Sequence, residues 1–318
     1  MLTTRFTELI GCTVPIQQAG MGGIATPELA AAVADAGALG MVAVPAAPAP
    51  VVADVLAGLR ARTAGAFGIN FLMPFLDRDA VAAAADKVTL VEFFYDEPDA
   101  SLVEMVHAGG ALAGWQVGSV EEAKKAVTAG CDLVIAQGTE AGGHVRGSIG
   151  LLALLADVLD AIEVPVVAAG GISTPRALAA VLAAGADGAR VGTLFVAAAE
   201  ADAHPAYVDA LIAAHGEDTV LTEAFSVMWP NAPHRVLRSC VDKAATFDGE
   251  VVGEVQMADQ RMPLPRHAVV CPGRTTTGEI EAMALYAGQS VGDVTALKAA
   301  ADIVRELADG AEALLGSW

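Results

Sequence analysis

A glycine-rich segment carries the first residue of this sequence that could perform chemistry. His144 lies in QGTEAGGHVRG, residues 137–147, together with Gln137 and Glu140. The ordinary pKa of histidine is about 6.5, so its imidazole can accept a proton from an acidic carbon or, when protonated, stabilise an anion. We therefore take His144 as the candidate catalytic residue, in a loop whose glycines let the backbone pass close to a ligand.

The elements around this loop follow one pattern through the first 200 residues. Short apolar runs alternate with alanine-rich helical stretches, which predicts parallel strands covered by helices. Thr26, Ser119 and Thr174 are predicted N-caps, Ser119 and Glu122 form a predicted capping box, and Gly37 is predicted to end a helix. The eight predicted strands are Val14–Gln18, Gly40–Val44, Phe67–Phe71, Thr89–Tyr95, Ala111–Val117, Asp132–Ala136, Val164–Ala168 and Gly188–Val191.

Eight βα units predict an α/β fold, a (β/α)8 TIM barrel, with a doubly wound open sheet as the alternative. The barrel is favoured because the best phosphate-loop candidates follow the seventh and eighth strands, where barrels commonly bind phosphate. We predict the barrel over residues 1–202 and, over 203–278, an excursion that covers the barrel mouth. Residues 279–318 are predicted to be helices that pack back on the barrel.

Two glycine-containing strand ends form the predicted phosphate site. AAGG ends the seventh strand with Gly170 and Gly171, and Gly192 and Thr193 follow the eighth strand. Glycines permit close backbone approach, amides at a helix start favour an anion, and Thr193 adds a hydroxyl. These loops predict a bound mononucleotide such as FMN, with its ring across the barrel mouth.

Composition excludes several classes of partner. The 38 acidic and 18 basic residues give a net charge of −20, which disfavours nucleic acid and anionic lipid. No apolar run is long enough for a membrane span, and the N-terminus does not resemble a secretory signal, so we expect a cytoplasmic protein. The four cysteines are scattered without metal-ligand spacing, so no metal is predicted.

Longer motifs carry a resemblance to a known family. GTEAGGHVRG, AAGGIST and RVGTLF resemble the nitronate monooxygenases, formerly called 2-nitropropane dioxygenases. VPIQQAGMGGIATPELAAAVADAGALG, FGIN around Asn70 and LYAGQSV at 285–291 extend the resemblance over almost the whole chain. The resemblance implies a barrel that holds FMN non-covalently. It also implies an oxidoreductase in which O2 oxidises alkyl nitronates to a carbonyl compound and nitrite.

The same resemblance implies roles for particular residues. His144 matches the family histidine beside the flavin, which acts as a base toward neutral nitroalkanes or helps to hold the anionic nitronate. The positions implied in binding FMN are Ala19, Gly20, Met21, Gly22, Asn70, Gln137, Gly142, Gly143, Gly170, Gly171, Gly192, Thr193, Tyr286, Gln289 and Ser290.

Alternative functions use the same scaffold. An FMN-dependent enoyl-acyl-carrier-protein reductase would need NAD(P)H and a basic surface for an acidic carrier, and the net charge of −20 argues against such docking. LYAGQSV also resembles the monooxygenases better. A barrel that only binds flavin is disfavoured because His144 is present. The expected partners are a small nitronate or nitroalkane and O2, and the alanine-rich helices are compatible with a homodimer.

Several other residues permit two interpretations. Trp115 is expected either to face the flavin or to fill the barrel core. Arg146 could steer an anion or pair with surface carboxylates. His234 and Arg235 could reach a substrate but are expected in a solvated loop, and residues 228–230 are predicted to form a lid.

Overall fold

The computed structural model describes residues 2–257 and 260–317, so Met1, Ala258, Asp259 and Trp318 lie outside the described residues. Its central feature is one sheet of eight parallel strands in the order β1-β9-β8-β6-β5-β4-β3-β2. The strands are β1 (Ile16–Gln18), β2 (Gly40–Ala43), β3 (Phe67–Leu72), β4 (Leu90–Phe94), β5 (Leu112–Val117), β6 (Leu133–Gln137), β8 (Val166–Ala169) and β9 (Gly188–Val191), and a two-residue strand outside this sheet is β7 (Gly143–His144).

The two edge strands of the sheet meet. Gln17 of β1 forms a parallel bridge with Leu39, which directly precedes β2. The Leu39 N–H also donates to the Ile16 carbonyl at 2.9 Å. The sheet therefore closes into the predicted (β/α)8 barrel, and all eight predicted strands are present with ends shifted by a few residues.

Helices alternate with these strands and begin where the sequence predicts. The N-caps Thr26, Ser119 and Thr174 each accept a backbone N–H through the side chain. The predicted capping box forms only in part, because the Glu122 carboxylate accepts the N–H of Gly118 at 2.8 Å and not that of the N-cap residue Ser119. Gly37 takes the left-handed conformation at φ 91°. The helices are α1 (Arg5–Ile10), α2 (Pro27–Asp35), α3 (Ala49–Arg60), α4 (Arg78–Ala85), α5 (Ala100–Gly109), α6 (Val120–Thr128), α7 (Leu151–Ala161), α8 (Pro175–Ala183) and α9 (Thr193–Val196).

Apolar side chains close one end of the barrel. Phe6 and Ile10 of α1 join a buried cluster with inward-facing strand residues such as Met41, Leu133 and Val167. A larger buried cluster lies between the strands and their surrounding helices. Because the end beneath the strands is filled, the carboxyl ends of the strands are left to form a site, as in other barrels.

The excursion contributes to two small sheets, one of which ties it to the barrel. β11 pairs with β10 and with β7, so His234 lies opposite His144. β12 pairs with β13 and β14. The domain boundaries at 202 and 278 stay predictions. The elements are α10 (Pro205–Ala213), β10 (Thr219–Thr222), β11 (His234–Leu237), α11 (Arg238–Thr246), β12 (Val251–Met257), β13 (Gln260–Pro265) and β14 (Thr277–Gly278).

The C-terminal segment differs in part from its prediction. Only α12 (Ala300–Leu315) is a long helix, and it packs against α8 and α2. Residues 279–299 form irregular chain with short 3-10 turns at Ile280–Ala282 and Val291–Asp293. Within the described ranges, no helix is long and apolar enough to cross a membrane.

Candidate active site

A cavity of about 510 Å³ lies at the carboxyl ends of the barrel strands. Its volume is in the range typical of small-ligand sites. Gln289 does not line it, because this residue is exposed and its backbone N–H donates to the Glu140 carbonyl at 2.9 Å. The cavity brings together His144 and the other predicted flavin positions, namely Ala19, Gly20, Met21, Gly22, Asn70, Gln137, Gly142, Gly143, Gly170, Gly171, Gly192, Thr193, Tyr286 and Ser290.

The backbone of His144 is fixed by a hydrogen bond, whereas its imidazole has a buried nitrogen without a partner among the described residues. The Gln137 amide donates to the His144 carbonyl at 3.0 Å, which fixes the backbone of β7. The His144 Nε2 and Gln137 Oε1 atoms are buried and have no partner in the part of the chain that the structure describes. Burial, followed by the nearby His234, lowers the pKa of His144 to about 3. The site therefore holds a neutral imidazole with a free hydrogen-bonding atom, and buried polar atoms of this kind usually have a partner.

Aromatic side chains cover this histidine. Trp229 stacks on His144 with ring centroids 3.9 Å apart and an angle of 18° between the planes. Phe75 and Tyr95 pack edge-on against Trp229 at 5.2 and 4.7 Å. We call Phe75, Tyr95 and Trp229 the aromatic roof. Met228 beside it is 60% exposed and has a φ of 79°. Two of the three residues predicted to form a lid, Met228 and Trp229, therefore line the cavity, whereas Pro230 does not.

Two of the glycines in this site are explained by the backbone, one by a close approach and one by its φ angle. A Cβ added at Gly142 would lie 2.5 Å from the Gly288 backbone nitrogen, so no larger residue fits between these loops. Gly170 has a φ of 112°, a conformation that residues with a side chain rarely adopt. The Gly288 N–H also donates to the Thr193 hydroxyl at 3.0 Å. Segment 285–291 is thereby held against the loop that carries His144 and against the predicted phosphate loop at Gly192 and Thr193.

The hydroxyl and the carbonyl group of Tyr286 both form structural hydrogen bonds. Its hydroxyl donates to the Val269 carbonyl at 2.7 Å, and its own carbonyl accepts the Tyr207 hydroxyl at 2.5 Å. Burial raises the pKa of both tyrosines well above the usual value. Tyr286 lines the cavity, but its hydroxyl serves to fasten the C-terminal segment over the barrel.

The bottom of the cavity holds a charged network, of which the sequence analysis had predicted only Asn70 as a site residue. The Glu92 carboxylate accepts from the side-chain amides of Gln17 and Asn70 at 2.7 Å each, and from Arg190. Arg190 also donates to the Gln116 amide oxygen at 2.6 Å. We call these five residues the floor network. The available signal was a charged residue inside each of two apolar strands, LVEFF and GARV, because buried charges are rare unless they are paired.

Three residues considered from the sequence turn away from the cavity. Both Glu140 carboxylate oxygens accept the Leu151 N–H at 3.0 Å, so this residue caps α7. Trp115 is fully buried and donates to the Asp96 carbonyl at 3.0 Å, which places it in the core. Arg146 pairs with Glu122 at 2.5 Å and does not face a ligand.

The prediction of a solvated loop at His234 and Arg235 is wrong. His234 is fully buried, with Nδ1 2.8 Å from the Ala232 carbonyl oxygen and Nε2 accepting the Phe225 N–H at 3.2 Å. Arg235 donates through Nε and Nη2 to the Thr139 carbonyl at 3.0 and 2.8 Å. Pairing of β11 with β7 buries both residues, and such a long-range pairing leaves no local signature in the sequence.

Comparison with known proteins identifies one family whose model matches almost the whole chain. The nitronate monooxygenase family model matches residues 3–86 and 75–310. The (3aS,4S,5R,7aS)-5-hydroxy-7a-methyl-1-oxo-octahydro-1H-indene-4-carboxyl-CoA dehydrogenase of Rhodococcus jostii is 33% identical over 258 residues, which are 81% of this chain and 72% of that protein.

Two solved structures share the whole architecture. FabK from Thermotoga maritima superposes with a TM-score of 0.83 at 29% identity, covering 100% of this chain and 98% of that one. Nitroalkane oxidase from Streptomyces ansochromogenes superposes with a TM-score of 0.78 at 31% identity, covering 98% and 100%. These proteins differ in their named activities, so the family is better defined than the substrate.

Proposed function

This chain belongs to the nitronate monooxygenase family, whose members are flavin-dependent oxidoreductases, and we propose that it oxidises alkyl nitronates with FMN and O2. The products would be a carbonyl compound and nitrite. The observation that carries this proposal is the neutral His144 imidazole, whose unpartnered Nε2 atom is buried in a cavity that glycine loops and aromatic rings enclose.

The residues present fit FMN. Backbone groups of Gly170, Gly171, Gly192 and Thr193 would hold the phosphate, as the loops after the last two barrel strands do elsewhere. The unpartnered Gln137 amide oxygen would accept a hydrogen bond from the cofactor. When bound, FMN would supply the electron transfer from the nitronate and the reaction with O2.

The structure favours one of the two roles that the sequence left open for His144. With a pKa of about 3, the imidazole is a weak base near neutral pH. It is therefore poorly suited to remove the carbon-bound proton of a neutral nitroalkane. A neutral imidazole protonated at Nε2 can instead donate a hydrogen bond to a nitronate oxygen. We propose that the substrate enters as the nitronate and that His144 orients it.

A second candidate is the oxidation of a cyclic acyl-CoA, because the relative from Rhodococcus jostii named as such a dehydrogenase is 33% identical. CoA carries several phosphates, which proteins usually bind with basic residues. Among the described residues that line the cavity, Arg190 is the only lysine or arginine, and it lies in the floor network. Because the cavity offers so few cations for these phosphates, a CoA ester is a less suitable substrate than a small nitronate.

One set of assays on the purified protein separates these functions. We expect FMN to be released on denaturation, fast O2 consumption with ethylnitronate, and slow consumption with nitroethane. NADH oxidation with an enoyl thioester, or flavin reduction by an acyl-CoA, without nitronate turnover would refute the proposal.

Variants at His144 test its role. His144→Ala should retain FMN and lower kcat/KM for ethylnitronate about 100-fold, as expected for loss of a positioned hydrogen-bond donor. His144→Gln keeps an N–H donor but no titratable base, so it should recover much of the loss. His107→Ala, a change at an exposed histidine paired with Asp132, is the control. Equal losses in the Ala and Gln variants would favour a base.

A further inference from the structure

The floor network places its two charges at different depths. Arg190, Gln116 and Asn70 line the cavity, whereas Glu92 and Gln17, among the described residues, lie behind the lining. The exposed fraction is 9% for the Arg190 side chain and 0% for that of Glu92. The pair is therefore oriented, with its cation toward the cavity and its anion toward the barrel interior.

Arg190 is held by the neighbouring strands. It lies on β9, where its Cα pairs in register with Gln17 of β1 and with Ala169 of β8. Its Nη1 atom donates to Glu92 on β4 and to Gln116 on β5. A guanidinium has five N–H donors, so these contacts leave donor capacity for a ligand above it.

Stability alone does not account for this arrangement. Apolar side chains of similar volume often replace a buried ion pair without loss of stability. The remaining barrel interior is filled by residues such as Met41, Leu90 and Val167, so an apolar layer is available to this fold. The charge pair lies at the layer of the barrel interior that meets the cavity. This position indicates that the pair acts on the bound ligand.

We propose that the Glu92–Arg190 pair sets the reduction potential of the bound flavin, with Arg190 stabilising its reduced, anionic form. Reduction of a flavin by two electrons with uptake of one proton adds one negative charge to the ring. A fixed cation in the cavity wall would stabilise that charge, and a charge near the flavin is a recognised way for a protein to tune it. Glu92 moderates the effect because it lies farther from the cavity than its partner. This inference rests on the proposed FMN site.

The experiment measures the flavin in the holoenzyme and does not depend on turnover. Removing Arg190 alone would leave Glu92 as an uncompensated buried carboxylate, so both charges are changed together. The variants are E92Q/R190Q, which removes both charges but keeps amides that can hydrogen-bond, E92Q, which removes only the anion, and R190K, which keeps the cation. The measurements are the midpoint potential of the bound flavin and the Kd for sulfite, an anionic probe that binds more tightly to electron-poor flavins.

The proposal requires shifts of opposite sign. E92Q/R190Q should have a midpoint potential about 30 mV lower than the wild-type protein, a tenfold change in the equilibrium constant of a two-electron couple, and should bind sulfite more weakly. E92Q should have a potential about 30 mV higher and bind sulfite more tightly, and R190K should stay within about 15 mV of wild type.

Other results would overturn the inference. Unchanged potentials in variants that retain FMN would make the pair purely structural. A higher potential in E92Q/R190Q would mean that Glu92 dominates at the ring. If the wild-type protein binds no flavin, the proposed function fails as well, so the two failures are distinguishable.

Discussion

The floor network and the aromatic roof bound the same cavity but differ in their chemistry and in the elements that carry them. The floor network is charged, and its side chains come from strands whose register determines their positions. The aromatic roof is uncharged and comes from loops, in which Tyr95 and Met228 hold φ values of 81° and 79°. Sites on strands are positioned more accurately than sites on loops. In the function that we propose, the floor acts on the bound cofactor and the roof contacts the substrate.

The largest expected effect tests the rigidity of the floor. Arg190→Leu should lower the free energy of unfolding by about 3–5 kcal/mol, because it leaves the buried Glu92 carboxylate without its cation. Arg62→Leu is the matched control, since its pair with Glu28 is about half exposed and is worth less than about 1 kcal/mol. Urea unfolding measures both. Equal losses would show that the floor is no more constrained than the surface.

An intermediate effect tests whether the histidine beneath the roof is neutral. The pKa of His144 is about 3 in the folded protein, whereas an unfolded histidine titrates near 6.5. Below about pH 6.5 the unfolded chain takes up a proton that the folded chain does not. Stability is therefore fully present above that pH and is lost as the pH falls toward 3. Between about pH 7.5 and 5 the loss from this residue should be about 2 kcal/mol.

His144→Gln isolates this contribution. Urea unfolding of the variant should show a fall in stability on acidification that is about 2 kcal/mol smaller than in the wild type. Burial also lowers the pKa of His234, which is present in both proteins and cancels in the difference. Identical pH dependence in the two proteins would mean that His144 is protonated normally in the folded state.

The smallest expected effect concerns the roof itself. Trp229→Leu removes the ring stacked on His144, and aromatic pairs contribute about 0.5–1.5 kcal/mol. We expect KM for ethylnitronate to rise about three- to tenfold with kcat within about twofold. Met262→Leu, at an exposed methionine that does not line the cavity, is the control and should leave both constants nearly unchanged. A large fall in kcat for Trp229→Leu would place the roof in the chemical step.

Local patterns in the chain were sufficient for much of the architecture. Apolar runs of strand length, N-caps such as Thr26 and Thr174, and helix-ending glycines such as Gly37 depend on neighbouring residues alone. They correctly predicted the barrel, and the glycine loops were correctly brought to one cavity with His144. The same patterns overestimated helix over residues 279–299, because an alanine-containing segment held by long-range contacts need not be helical.

What the sequence by itself determined was the set of elements and which strand ends face the site, because hydrophobic period and turn chemistry act over a few residues. Only the tertiary structure decided the ionic and aromatic partners. Arg190 and Glu92 are 98 residues apart in the chain, and Trp229 reaches His144 from a loop of the excursion. The pKa of His144 is lowered by burial, and this burial depends on those distant neighbours. The fold therefore favours the neutral form of the His144 imidazole, which its position in the sequence could not indicate.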